Sequence, residues 1–180
     1  MKIKHFNSDE RGTITIEFVI WFPFLFAWFV GTVVFFDAYK TRSHAAKVTY
    51  TIGDIVARSE FVSPGVVDNL YLLESRMLPK IRNGLGLRIS SVTARSAPGG
   101  GGLEYTVDWT AVRGPDVAPM TDADIPTGIM PTMVPLETVI ITETYTPYVP
   151  MADWVGLQTQ YWRTAIVNSP RFFPAVTFVP

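Results

Sequence analysis

A long apolar run near the N-terminus constrains the fold of this chain more than any other feature. Between residues 14 and 36, Glu17 is the only ionisable residue. As a helix this stretch would span about 34 Å, which is enough to cross a bilayer core of about 30 Å. A helix in the core of a soluble protein keeps one polar face, whereas apolar side chains surround this axis. The run therefore predicts a transmembrane helix over residues 13–36.

A cleaved secretory signal is the main alternative explanation of the run. Such a signal has an apolar stretch of about 7–15 residues followed by small residues at the cleavage site. Here the run is longer, and Phe35, Phe36, Asp37 and Tyr39 stand where small residues would be needed. We therefore expect a retained anchor, with residues 1–12 as a polar leader and residues 37–180 as the main folded domain. The basic residues on the two sides of the run are balanced, so the positive-inside rule does not orient it.

The helix is expected to continue beyond the apolar run to about Glu60. Apolar residues recur at helical spacing in this part and form one stripe that needs a covering surface. The stripe consists of Ala45, Val48, Ile52, Ile55 and Val56. A second helix is predicted from Ser63 and Pro64 to Met77, because a capping residue followed by proline is typical of a helix start. Its buried side is expected to contain Val66, Val67, Leu70, Leu73 and Leu78.

Alternating apolar residues predict strands over most of the remaining chain. The expected strands are residues 87–97, 103–112, 136–146 and 161–167, and glycines 99–102 form the turn of a hairpin between the first two. Leu103, Tyr105, Val107 and Trp109 should share one face of their strand. Residues 113–135 contain five prolines and should form a loop on the domain surface, and the proline-containing C-terminal tail should be irregular. The predicted fold class is α+β, with a long N-terminal helix, a second helix and an antiparallel sheet of three or four strands covering the stripe.

No catalytic or metal-binding motif stands out. The chain has no cysteine and a net charge of −1, without a basic stripe that would suggest nucleic acid. Asp122 and Asp124 begin like a calcium loop, but Pro126 and the lack of a following glycine break that pattern. His5 and His44 lack ligand spacing, and no set of nucleophile, base and orienting acid is visible. We expect neither enzymatic activity nor a cofactor nor a metal ion.

Glu17 is the residue most suggestive of function. A carboxylate inside an apolar span is costly and usually has a partner. It lies close to the predicted helix start, so its side chain could instead reach the membrane surface. The residues alone leave both interpretations open.

The sequence RGTITIEF over residues 11–18 resembles the processing site of the type IV pilin superfamily, and most closely that of the TadE-like family of tight-adherence (Flp-type) pilus systems. Pro23 within the apolar run also fits this family. Tyr39, Arg42, Ser43, Ala45 and Ala46 fit the polar helix that follows in those proteins. The resemblance covers residues 11–58. Thr13, Thr15 and the tryptophans of the span make this chain more polar at its start and more aromatic afterwards than is usual in the family.

The resemblance implies a minor pseudopilin with a structural role in pilus assembly and a pilin-like exported domain. A prepilin peptidase would cut between Gly12 and Thr13. The new α-amino group of Thr13 would then be a partner for the Glu17 carboxylate of a neighbouring subunit. The implied location is the bacterial inner membrane, with the N-terminus cytoplasmic and residues 37–180 periplasmic. The implied partners are the peptidase, other pilin subunits, the Tad inner-membrane machinery and the lipid bilayer.

The alternative function is an unprocessed, single-pass protein with a periplasmic binding or sensor domain. In that case Glu17 would only reach towards the membrane surface, and Gly12 would never be cleaved.

Overall fold

A computed structural model of the chain describes residues 11–79, 81, 83–97 and 101–180, with residues 11–13 described by their backbone alone. Most of the expected leader, residues 1–10, lies outside the described residues. Helix α1 runs from Arg11–Ala57 and has 47 residues. It therefore includes Gly12, which we expected to precede the helix. Pro23 lies inside α1 without ending it, although it has no N–H to donate to the preceding turn.

The remaining elements confirm the predicted α+β class. Helix α2 spans Pro64–Met77, with Ser63 at the N-cap position and Pro64 as the first helical residue. Four antiparallel strands form the main sheet in the order β3-β2-β4-β5. Their bounds are Gly86–Ser96 for β2, Leu103–Arg113 for β3, Thr138–Tyr148 for β4 and Gln160–Asn168 for β5. Each lies within two residues of its predicted position, because alternation marks the strands clearly.

A second, two-stranded sheet was not predicted. Strand β1, Phe61–Val62, pairs in parallel with β6, Thr177–Phe178, in the tail that we expected to be irregular. The backbone N–H of Val179 donates to the carbonyl of Val62 at 2.9 Å and closes this pairing. Two-residue strands are too short to show alternation, so the sequence gives no signal for them.

One face of the main sheet is covered by the C-terminal part of α1. Val48, Ile52 and Val56 pack in one cluster with side chains of β2 and β4, including Ile89 and Ile140. The predicted stripe is therefore confirmed, with one correction. Ile55 is 39% exposed, because Ile52 and Val56 already occupy the buried face and leave residue 55 at its edge.

The opposite face of the sheet is covered by the proline-containing loop. Met120, Ile125 and Met133 from this loop are buried in a second cluster with residues of β2 and β4 such as Val92 and Val139. Two short 3-10 turns, Asp122–Asp124 and Thr127–Ile129, shape the loop. The loop is packed on the domain, as predicted. Its role as a second covering layer of the sheet was not predicted.

A β-bulge in β3 corrects the prediction that four of its residues share a face. Ser91 of β2 pairs with Trp109, whereas the next residue, Val92, pairs with Val107, which leaves Asp108 without a partner in the register. Leu103, Tyr105 and Val107 pack with the cluster under the loop. Trp109 packs with the cluster under α1. An extra residue shifts the alternation by one position, so the two halves of the strand face opposite cores.

The chain forms two compact units. The first consists of the described residues up to Lys40 together with Val149–Thr159, and the second of Thr41–Tyr148 with Gln160–Pro180. Within the described residues, α1 is the one helix long and apolar enough to cross a membrane. This property fits a single-pass membrane anchor. The sequence assigned everything after residue 36 to one domain, whereas Val149–Thr159 clusters with the apolar part of α1.

Candidate functional site

The expected processing site lies at the start of the described part of α1. The backbone at Gly12 and Thr13 is helical, so the peptide bond between them is held in helical geometry. A protease that needs an extended substrate would have to unwind α1 locally at this bond.

Glu17 lies one turn after Thr13, on an outer surface of α1. Its side chain is exposed and is flanked by exposed apolar residues, among them Ile16 and Phe18. Glu17 makes neither a hydrogen bond nor an ion pair with any residue that the structure describes. The carboxylate is therefore presented outward from the helix. This geometry suits pairing with a second molecule and also suits a side chain that reaches for the membrane surface.

Aromatic side chains dominate the outer surface of α1 after Glu17. The rings of Phe18 and Phe22 have centroids 5.3 Å apart, and those of Phe22 and Phe26 are 6.0 Å apart, so three rings follow each other one turn at a time. Trp21 makes an edge contact with Phe24 at 6.3 Å. These ring contacts restrict the aromatic side chains and give α1 a broad apolar surface.

A buried ion cluster in the main sheet was missed by sequence reasoning. Glu143 of β4 is fully buried and accepts hydrogen bonds from Arg88 of β2 and from Nε of Arg163 of β5, the latter at 2.7 Å. Arg88 also donates to the carbonyl of Ala118 at 3.1 Å and so ties the covering loop to the sheet. Arg88 and Glu143 are register partners, and only the register could have predicted the contact. Both carboxyl oxygens of Glu143 accept hydrogen bonds from arginine side chains. We call Arg88, Glu143 and Arg163 the clamp, because they join three strands.

Glu74 of α2 is a second buried carboxylate that the sequence did not single out. It is fully buried, and among the described residues neither carboxyl oxygen has a hydrogen-bond partner. Burial raises its pKa from 4.5 to about 8. At neutral pH this group is therefore mostly protonated, which limits the cost of burying it.

The acidic pair in the loop stabilises a turn. Asp124 accepts hydrogen bonds from the backbone N–H of Thr121 at 3.0 Å and from its hydroxyl at 2.7 Å. Asp122 accepts one from the backbone N–H of Val107 at 2.7 Å. The hydrogen bonds from Thr121 lower the pKa of Asp124. In the described part of the chain, no group of three or more His, Asp or Glu side chains could hold a metal ion.

The remaining candidates from the sequence are the two histidines and the run of four glycines. His44 is exposed on α1, while His5 lies outside the described residues. Of the four glycines, residues 99 and 100 also lie outside them. The hairpin itself is confirmed by the hydrogen bond from the N–H of Ala97 to the carbonyl of Gly102 at 3.0 Å.

Comparison with known proteins adds no relative: no family model matches the chain, and neither a characterised protein nor a solved structure is significantly similar to it.

Proposed function

We propose that this chain is a TadE-like minor pseudopilin, a single-pass membrane protein that takes part in assembling an Flp-type pilus. The observation that carries the proposal is the organisation of α1. One helix of 47 residues begins with the RGTITIEF segment, and most of the large side chains in its apolar part are exposed, whereas Gly31 and Val34 are buried. Its C-terminal part supplies Val48, Ile52 and Val56 to the core of an α+β domain.

The exposed surface of α1 suits both a membrane and a helical fibre. Apolar side chains on every side of a helix can be covered by lipid, and the same surface can be covered by equivalent helices of other subunits. Assembly would exchange the first environment for the second. The aromatic surface around Phe22 would then become a subunit contact.

Pairing of Glu17 with a neighbouring subunit would favour the fibre over the membrane. A carboxylate that has no partner among the described residues is costly in an apolar environment, and attraction to an opposite charge is stronger there than in water. The α-amino group of Thr13, released by cleavage after Gly12, would supply that charge on a neighbouring subunit. Cleavage and pairing would thus be successive steps, and an uncleaved subunit could not provide the amine.

Cleavage is tested by Gly12→Val in the native host. A β-branched side chain next to the scissile bond should block the peptidase and leave the full-length precursor in the membrane. Thr15→Val, which introduces the same residue three positions later, is the matched control and should be processed normally. An immunoblot separates precursor from mature protein, and N-terminal sequencing should find Thr13 first. An unprocessed wild type would overturn the pseudopilin proposal and favour the anchored sensor.

Assembly is tested by Glu17→Gln, which keeps the size of the side chain and removes its charge. The variant should be cleaved but should support few or no surface pili, as counted by electron microscopy. Glu17→Asp keeps the charge and should retain more pili. If Glu17 only reaches for the membrane surface, Glu17→Gln should lie more easily in the membrane and make normal pili, which would contradict its assembly role.

A further inference from the structure

The segment Val149–Thr159, here called the tip segment, is in the same compact unit as the apolar part of α1. Its short turn, Asp153–Val155, ends at Gly156, whose φ of 98° is readily adopted only by glycine. A Cβ placed on Gly31 of α1 would lie 3.4 Å from Cγ1 of Val155. The tip segment therefore lies against α1 at a residue that has no side chain, within the apolar run.

The tip segment itself exposes large apolar side chains. Val149 is 69% exposed, Met151 71% and Trp154 61%, and Asp153 is the only ionisable residue of the segment. Three such side chains within six residues form a concentrated apolar surface. Surfaces of this kind are usually covered by a partner or a membrane.

The position of the contact along α1 indicates which of these covers it. Gly31 precedes Asp37, the first ionisable residue after the apolar run, by six residues, which is about 9 Å along a helix. Segments that lie in a membrane surface are buried about 5–10 Å into the boundary between headgroups and acyl chains. Tryptophan is enriched at that level because its ring is apolar and its N–H can still donate a hydrogen bond.

We propose that the tip segment dips into the surface of a phospholipid bilayer beside α1, with Met151 and Trp154 in the boundary between headgroups and acyl chains. The inference rests on the membrane-anchor part of the proposed function. The covering surface is lipid because the tip segment contacts α1 within the apolar run, at Gly31. With one acidic and no basic residue, the segment gains nothing from anionic lipids, so a zwitterionic bilayer is sufficient.

Spin-label depth measurements test the proposal on the full chain in phosphatidylcholine nanodiscs. The chain has no cysteine, so each introduced cysteine is the only site of labelling. Met151→Cys reports on the tip segment, Phe24→Cys on the span, and Leu136→Cys on an exposed side chain outside both. Oxygen concentrates in lipid and a nickel chelate in water. The ratio of oxygen to nickel accessibility should be highest at position 24, and at 151 it should exceed that at 136 severalfold.

The outcomes separate this inference from the proposed function. A high ratio at 24 with equal ratios at 151 and 136 would overturn the membrane contact of the tip segment and leave the anchor intact. A low ratio at 24 would overturn the anchor itself. Low accessibility to both reagents at 151 would mean that protein covers the segment, which also contradicts the proposal.

A second variant tests the role of Trp154. In the Met151→Cys background, Trp154→Ser should lower the ratio at position 151, because the segment loses its main apolar side chain. Phe172→Ser removes an aromatic residue of similar exposure from the other compact unit and should leave the ratio unchanged. An unchanged ratio after Trp154→Ser would show that Trp154 does not hold the segment in the lipid.

Discussion

At the scale of one residue, Glu74 shows how burial alone changes the pKa of a carboxyl group. The folded state raises its pKa to about 8, whereas the unfolded chain has the ordinary value of 4.5. Between these two values the folded state binds more protons than the unfolded state, so the free energy of unfolding falls as the pH rises. Below pH 4.5 this penalty is absent, and above pH 8 it is complete.

We predict that the penalty amounts to about 4 kcal/mol between pH 4.5 and 8. Glu74→Gln cannot ionise and should lose less stability than the wild type over this range. Urea denaturation of the full chain in detergent at pH 5 and pH 8.5 measures the difference. Glu104→Gln, a change of an exposed glutamate in β3, is the matched control and should follow the wild type. A larger loss at pH 8.5 in Glu74→Gln would contradict the assigned protonation.

The sequence did not indicate that Glu74 is buried, and the reason is specific. Its stripe on α2 consists of Val67, Leu70 and residue 74, at spacings of three and four. Sequence reasoning placed Leu73 in that stripe instead, because leucine is the better core residue, and Leu73 is only half-buried. At residue 74 the charged side chain indicated exposure, whereas the helical spacing from Val67 and Leu70 indicated burial. The structure follows the spacing.

At the scale of secondary structure, the stripe on α1 allows a matched test of packing. Ile52 is fully buried in the cluster beneath the sheet, whereas Ile55 is more than one-third exposed. Ile52→Asp loses the burial of its side chain, worth about 1.5–3 kcal/mol, and adds the cost of a buried charge. It should therefore lower the free energy of unfolding by more than about 3 kcal/mol, or lead to degradation in cells.

Ile55→Asp makes the same chemical change at the edge of the stripe and should cost about 1 kcal/mol or less. Chemical denaturation of both full-length variants, followed by far-ultraviolet circular dichroism, provides the comparison. Equal losses would mean that the face containing Ile52 packs on something other than the sheet.

The elements could be predicted from the sequence, whereas their register could not. Alternation located four strands, and the Ser63–Pro64 pair located α2, since these signals are local. The clamp formed by Arg88, Glu143 and Arg163 depends on which residues of different strands face each other. No local pattern contains that information, because a shift of one residue would move each side chain to the opposite face.

At the scale of the whole molecule, the chain should have a single crossing with its C-terminus outside the cytoplasm. This prediction follows from the single candidate span among the described residues and from the pilin-like start of the chain. Alkaline phosphatase, which is active only outside the cytoplasm, should be active when fused after Pro180. A green fluorescent protein that folds only in the cytoplasm should be dark at the same position. A fluorescent fusion with an inactive phosphatase fusion would reverse the topology.

The division of the whole chain was only partly predictable. An apolar run reveals an anchor because its length matches a bilayer. Nothing in the sequence of Val149–Thr159 indicates that this segment clusters with a helix more than a hundred residues earlier. Val155 lies against Gly31 of α1, and a single glycine in a sequence does not indicate such a contact.

The bulge at Asp108 determines where β3 tolerates a change in length. Deleting Asp108 would leave Val107 and Trp109 opposite their present partners, and both cores would stay intact. The loss would be the hydrogen bonds that its carboxylate accepts from Thr93 at 2.6 Å and Ser91 at 3.2 Å, together about 1–3 kcal/mol. Deleting Thr106 instead would put apolar side chains of the strand's first half on the wrong face and should prevent folding, as limited proteolysis would reveal. Homologues that lack one residue in this strand should therefore have the gap at position 108.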